Sequence, residues 1–200
     1  MTKICYIDVE TGGTNPEIHP VLQLSGKIEI DDKTAETFNW FIRCPENKKV
    51  EPSALQVNHL TEESIRSFDL PTYNEVYWKF TNVLDKYVDK FSPTDKFFFC
   101  GYNAHFDDSF MRQFFIDNAV GEKAKKYGNY YGSYFWTPIL DVMQLAAFVL
   151  AQERPGMNDF KLNTVFRHIF GDKLADEINW HDAMGDIDAT EKLFKALRRW

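Results

Sequence analysis

Residues 3–9, KICYIDV, form a mostly apolar, strand-like run that leads into two acids one residue apart, Asp8 and Glu10. Side chains two apart on a strand share a face, so these carboxylates point together while Val9 turns to the other side. An isolated pair of this kind most simply marks a solvent-exposed edge. Here Ile4, Tyr6 and Ile7 make the strand central, and a buried unpaired charge is costly. Two carboxylates at the end of such a strand call for a metal or an arginine, and the one nearby base, Lys3, sits at the far end.

TGGTNP at 11–16 then reads as a loop, and 20–30 and 35–43 as two further strands around an Asp31-Asp32-Lys33 turn, the start of a β-meander. After Pro52 a short helix over SALQVNHL follows, with Thr61 and Glu62 or Glu63 as a loose cap for another turn. Beyond Pro71-Thr72, Val76, Phe80, Val83, Leu84, Tyr87 and Phe91 recur at helical spacing, with Lys79, Asp85 and Asp89 opposite. Residues 96–103, KFFFCGYN, form a buried strand ending in Gly101. Phe106, Phe110 and Phe114 then mark a helix with Asp107 on its first turn. The polar, Gly- and Tyr-rich stretch 121–134 reads as a surface loop, and 136–152 as a short strand and a helix. Another helix over 161–171 stops at Gly171, and the last, over about 183–199, aligns Ile187, Thr190, Phe194 and Leu197. The pattern predicts one α/β domain over residues 1–200 with a mixed sheet, and shows no internal repeat.

Two segments far from Asp8 carry matching chemistry: NAHFD at 103–107 and HDAMGD at 181–186. Each residue has a plain explanation by itself. Asp107 suits a helix N-terminus, Asn103 an N-cap, Asp186 a solvated helix surface and His181 a surface or cap position. Together they supply four acids and an imidazole from three segments. Such oxygen donors suit Mg²⁺ and disfavour a Cys/His site. Two ions about 3.5–4 Å apart are the arrangement that phosphodiester cleavage uses. His181, with an ordinary pKa near 6.5, suits removal of a proton from water near neutral pH.

With 44% hydrophobic residues, 16% aromatics and 18 Phe, the chain is not of a disordered class. Its formal charge of -7 does not advertise a nucleic-acid surface, yet clustered metal-binding acids contribute to that sum, so a nucleic-acid substrate stays open. Cys5, Cys44 and Cys100 suggest neither a disulfide framework nor a zinc site, and a reducing cytoplasmic home is the simpler one. No secretory signal pattern and no apolar run of about 20 residues is present, so no membrane association is expected.

The three motifs, from YIDVETGG at 6–13 to HDAMGDIDATEKLF at 181–194, resemble those of the DEDDh exonucleases, the DnaQ-like branch of the ribonuclease H-like fold. The resemblance implies a central mixed five-stranded sheet flanked by helices. It also implies two Mg²⁺ ions, for which Mn²⁺ can substitute, on Asp8, Glu10, Asp107 and Asp186, with His181 as general base. IHPVLQLSGKIE is similar to the family's second strand, KLNTVFRHIFG to the helix before the last motif, and SALQVNHLTEESI to the helix and loop that receive a 3′-terminal nucleotide. Thr11, Gly12, Asn58, His59, Leu60, Asn103 and Phe106 would line that substrate pocket, although Phe106 also belongs to the Phe106/Phe110/Phe114 core stripe. The chain departs from the common pattern at Thr11-Gly12-Gly13 and Asn58-His59, both in the pocket and not among the metal ligands.

The function this implies is 3′→5′ exonuclease action on single-stranded 3′ ends, with DNA favoured and 5′-mononucleotides released. One alternative is an exoribonuclease of the oligoribonuclease or ribonuclease T type. Another, of a different class, is a non-catalytic nucleic-acid-binding subunit of a polymerase or processing complex. Asp141 reads as a helix-start acid or a support for the site. Lys123, Lys125, Lys126, Lys192, Lys195, Arg198 and Arg199 read as solvated faces or as guides for a phosphate backbone.

Overall fold

A computed structural model describes residues 1–180 and 182–199. Strands β1 (Lys3–Thr11), β2 (Val21–Ile30) and β3 (Lys33–Phe41) form an antiparallel meander. β4 (Phe98–Gly101) and β5 (Leu140–Asp141) extend it on the other side, both parallel to β1. The order β3-β2-β1-β4-β5 makes a mixed five-stranded sheet with β1 central, as the apolar content of residues 3–9 predicts. The turn between β2 and β3 holds only Asp31 and Asp32, both at positive φ, the geometry that matches strand twist in a two-residue hairpin. Lys33, assigned to the turn on sequence, instead pairs with Ile30.

Helices cover both faces. α1 (Pro52–Val57) and α2 (Glu62–Arg66) pack at one end, where Leu22, Cys44, Leu55 and Ile65 form a small apolar cluster. α3 (Tyr73–Asp85) and α4 (Ala104–Asp117) lie over one face. There Val76, Phe80, Leu84, Phe110, Phe114 and Phe115 meet Cys5, Ile7 and Val9. After α5 (Glu122–Lys126) come α6 (Val142–Val149), α7 (Leu162–Phe170), α8 (Asp172–Ala175) and α9 (Ala183–Leu197). Residues of α6, α7 and α9 bury Ile4 and Tyr6 on the opposite face. The two-residue period of β1 thus sends odd positions to α3 and α4 and even positions, Asp8 and Glu10 among them, to the side of α9.

Three expectations need correction. The helix after Thr72 ends at Asp85, because Lys86, Tyr87 and Val88 fold back as N–H donors to Val83 and Leu84 carbonyls. Val88 is therefore the buried residue beyond the helix, and Phe91 is 87% exposed. Residues 121–134 are not a plain surface loop. They form α5 and a 3₁₀ turn over Gly128–Ser133, and Tyr131 and Tyr134 enter the core. The Tyr131 ring stacks on Phe135 at 4.8 Å and meets Phe115 edge-on at 5.0 Å, while its hydroxyl donates to Asp108 Oδ1 at 2.8 Å. Tyrosine can bury its ring in this way while its hydroxyl finds an acceptor. The Thr61 cap, finally, uses Ser64 and not Glu62 or Glu63 as its reciprocal partner.

A charged seam joins α9 to β2. Lys27 pairs with Asp188 and Glu191, and Lys195 pairs with Glu29 and Glu191. Cys5, Cys44 and Cys100 are free and buried. Among the described residues no helix is long and apolar enough to cross a membrane.

Candidate active site

β4 accompanies β1 only from Ile4 to Tyr6. Beyond that point the N–H of Val9 has no ladder partner on the β4 side, and Asp107 Oδ1 accepts it at 3.0 Å. Gly101 permits this approach: a Cβ there would stand 3.2 Å from the Ile7 carbonyl and 3.3 Å from the Ala104 side chain. Asn103, in the left-handed region at φ 61°, turns the chain into α4. It holds the N-cap position without a side-chain capping bond. On the other side of β1 the ladder with β2 shifts register between Glu10 and Thr11, a bulge of the kind that re-aims side chains beside a site.

Asp186 comes from the first turn of α9, whose N-cap is Asp182; Asp182 Oδ2 accepts the Gly185 N–H at 3.2 Å. A Cβ on Gly185 would stand 2.5 Å from the Asn179 carbonyl oxygen, so the start of α9 is seated against the preceding turn. His181 lies outside the described residues.

These acids perturb one another. Burial holds the Asp8 carboxyl well above its ordinary range, and Asp107, Glu10, Asp186 and Asp182 add to the effect. Burial also raises Asp107, to about 8, against the bonds it receives from the Val9 N–H and its own N–H; Glu10 and Asp141 push it further up. Three segments distant in sequence therefore place their carboxylates within mutual electrostatic reach. Among the described residues no group of three or more His, Cys, Asp or Glu side chains is placed so that it could hold a metal ion. Their chemistry fits a hard divalent cation nonetheless: the donors are all oxygen, and their mutual repulsion is what a cation relieves.

The expected pocket residues divide. Asn58 Nδ2 donates to the Thr11 carbonyl at 3.0 Å, tying the end of α1 to the end of β1. Thr11 is buried, with its hydroxyl donating to Gly13. Both backbone groups of Gly12 are engaged, its N–H with Pro20 and its carbonyl with Glu51. His59 is exposed at φ 54°, and Leu60 packs on the cluster around Leu55. Phe106 is half-buried with its ring 4.9 Å from that of Phe110, consistent with the core stripe. Asp141 caps α6, accepting from Met143 N and Gln144 N.

Of the basic residues, Lys195 and Arg198 are held by Glu29, Glu191 and Asp32, and Lys125 stands 3.8 Å from Glu122. Those three are engaged locally. Sequence reasoning missed Asp182 and Gly185. Asp182 carries a readable signal, an Asp directly before an apolar helix; the need for Gly185 shows only when Asn179 folds back beside it.

No family model and no curated protein matches the chain. Solved structures do. A structure of E. coli Exonuclease I in complex with a dT13 oligonucleotide matches 99% of this chain with TM-score 0.73 at 19% identity. The zinc-bound form of the E. coli ExoI–ssDNA complex matches all of it with TM-score 0.72 at 19% identity. A product-bound structure of exonuclease I matches all of it with TM-score 0.70 at 18% identity. This chain spans 41%, 41% and 44% of the length of those chains. The chain thus has the ribonuclease H-like fold that Exonuclease I carries, as its three motifs predict.

Proposed function

We propose that this chain hydrolyses the terminal phosphodiester of single-stranded nucleic acid from the 3′ end, with DNA favoured, and releases 5′-mononucleotides. What supports the reading is that Asp107, Glu10 and Asp186 all push the buried Asp8 carboxyl upward, while Asp107 is itself fixed to the Val9 N–H. A binding module has no physical need for such a cluster. The oligonucleotide complexes among the structures of like fold support DNA as the substrate.

In this reading the four carboxylates hold two Mg²⁺ ions, with Mn²⁺ able to substitute. Bound divalent cations supply Lewis acidity to a phosphoryl group and lower the pKa of water. His181 takes the proton of the attacking water. Asp107, fixed by Val9, keeps its carboxylate in register with β1. Thr11, Gly12, Asn58, His59, Leu60, Asn103 and Phe106 surround the terminal nucleotide. The buried free cysteines suit a reducing compartment such as the cytoplasm.

The test is digestion of 3′-labelled and 5′-labelled single-stranded DNA and RNA with Mg²⁺, Mn²⁺ or EDTA. Labelled mononucleotide should leave the 3′-labelled strand first, and faster from DNA. Activity that survives EDTA, or that Asp8→Ala leaves intact, refutes the reading.

A further inference from the structure

β3 ends at Phe41, which is in register with Gln23, which is in register with Glu10. Strands are about 4.8 Å apart, so the chain leaves β3 about 10 Å from Glu10, at the same edge of the sheet. There it opens a cavity of about 850 Å³ between the segment after β3, the end of α2, the start of α3 and the end of α4. The chain connects the cavity wall to the end of β1. Asn58 is bonded to Thr11, Leu60 follows it, and α2 runs from there to Arg66 and Phe68 on the cavity wall.

The lining has the composition of a strand-binding groove. It carries three cations, Arg43, Lys48 and Arg66, against two acids, Glu46 and Asp117, in a chain whose formal charge is -7. Lys48 and Asp117 neutralise each other at 2.8 Å, and Arg66 is shared with Glu62 at 3.1 Å. Arg43 makes no ion pair among the described residues. Its guanidinium lies 5.2 Å from the centre of the Phe68 ring, and Phe68 is 91% exposed. A phenylalanine this exposed costs solubility unless something covers it. An aromatic face beside an unpaired guanidinium offers both things a single strand needs, a stacking platform for a base and a cation for a phosphate.

We propose that the Arg43/Phe68 cleft is a subsite for the single strand upstream of the 3′-terminal nucleotide, with Phe68 stacking on a base and Arg43, aided by Arg66, contacting the backbone. It rests on the functional reading above as to which end of the strand enters the carboxylate cluster. It adds the residues that hold the rest of the strand. The occupant is favoured over a protein segment by charge, because Arg43, which makes no ion pair among the described residues, stands beside the exposed Phe68 ring.

The test measures binding apart from hydrolysis: fluorescence anisotropy of labelled dT13 and dT3 with the full chain in EDTA, repeated for Phe68→Ala and Arg43→Ala. The wild type should bind dT13 more tightly than dT3, and each variant should weaken dT13 by about tenfold while leaving dT3 unchanged. Arg43→Ala should also lower the salt slope for dT13 by about 0.7, one phosphate contact on a single strand. Equal affinity of wild type and both variants for dT13 overturns the subsite; a protein partner in the cleft would give that result. Loss of dT13 binding in the variants supports the subsite even if Mg²⁺ brings no hydrolysis, an outcome that would defeat the hydrolytic reading alone.

Discussion

Asp107 Oδ1 accepts the main-chain N–H of Val9 at 3.0 Å, so an acid on the first turn of α4 is fixed to the strand residue between Asp8 and Glu10. The bond lowers the cost of a buried carboxylate without cancelling it, since burial still pushes the group up to about 8.

Asp107→Asn separates charge from position. The amide keeps an oxygen for Val9 and removes the negative charge. Turnover should fall by about a hundredfold or more, while metal-free stability at pH 8 should rise, because one source of repulsion is gone. Nuclease assays with Mg²⁺ and thermal melts in EDTA measure the two quantities, and a variant that melts lower than wild type at pH 8 contradicts the repulsion argument.

The metal-free chain should lose stability as pH rises from about 5 to 8. Asp8 and Asp107 have folded pKa values above the ordinary 3.8, so across that window the folded chain binds protons that the unfolded chain has released. Stability is then fully present below about pH 4 for these two groups and is lost through the folded pKa, by at most about 1.4 kcal/mol per pH unit per proton. Urea unfolding in EDTA at pH 5, 6, 7 and 8 tests the slope, and Mg²⁺ should flatten it. A midpoint that climbs across the series contradicts the sign.

Gly185→Ala sets two effects against each other. Alanine favours a helix by about 1 kcal/mol over glycine, but its Cβ would stand 2.5 Å from a backbone oxygen of Asn179, which has no flexible side chain to yield. Overpacking of this kind costs about 1–3 kcal/mol, so the clash should win and shift the start of α9. Hydrolysis should suffer more than stability, because the adjacent residue is Asp186. Chemical denaturation beside single-turnover kinetics measures both, and an unchanged or raised stability would falsify the packing account.

Tyr131→Phe should destabilise the chain by about 1.5–3 kcal/mol, the usual loss when a buried carboxylate gives up a hydroxyl donor. Among the described residues Asp108 would keep only the side chain of Arg112, whose Nε donates to Oδ2 at 2.7 Å. The ring remains, so aromatic packing does not contribute, and equilibrium unfolding in urea gives the value directly.

The sheet and its central strand were legible in residues 3–9, 20–30 and 96–103, because a strand buried on both faces leaves a run of apolar residues in any context. The acids of the cluster were equally legible as sequence motifs, since their spacing within each motif is local. Tyr131 and Tyr134 were not. Their neighbours Gly128, Asn129 and Gly132 have loop composition, and only Phe115, Phe135 and the acids Asp108 and Asp85 give those rings a reason to be inside. Phe91 misled in the opposite direction: helical spacing continued in the sequence after the backbone had turned at Asp85. Lys195 and Arg198 were unreadable as ion-pair partners because Glu29 and Asp32 lie more than 160 residues away.

The burial of Cys5, Cys44 and Cys100 gives the chain a built-in clock. Burial pushes all three thiols up, so the folded protein presents almost no thiolate to an alkylating reagent at neutral pH. Cys5 lies on β1 and Cys100 on β4, the two strands whose parting would dismantle the carboxylate cluster. The rate at which iodoacetamide labels these two sulfurs therefore times the opening of the sheet's centre, and any bound ion or strand that steadies that centre should slow the labelling in proportion.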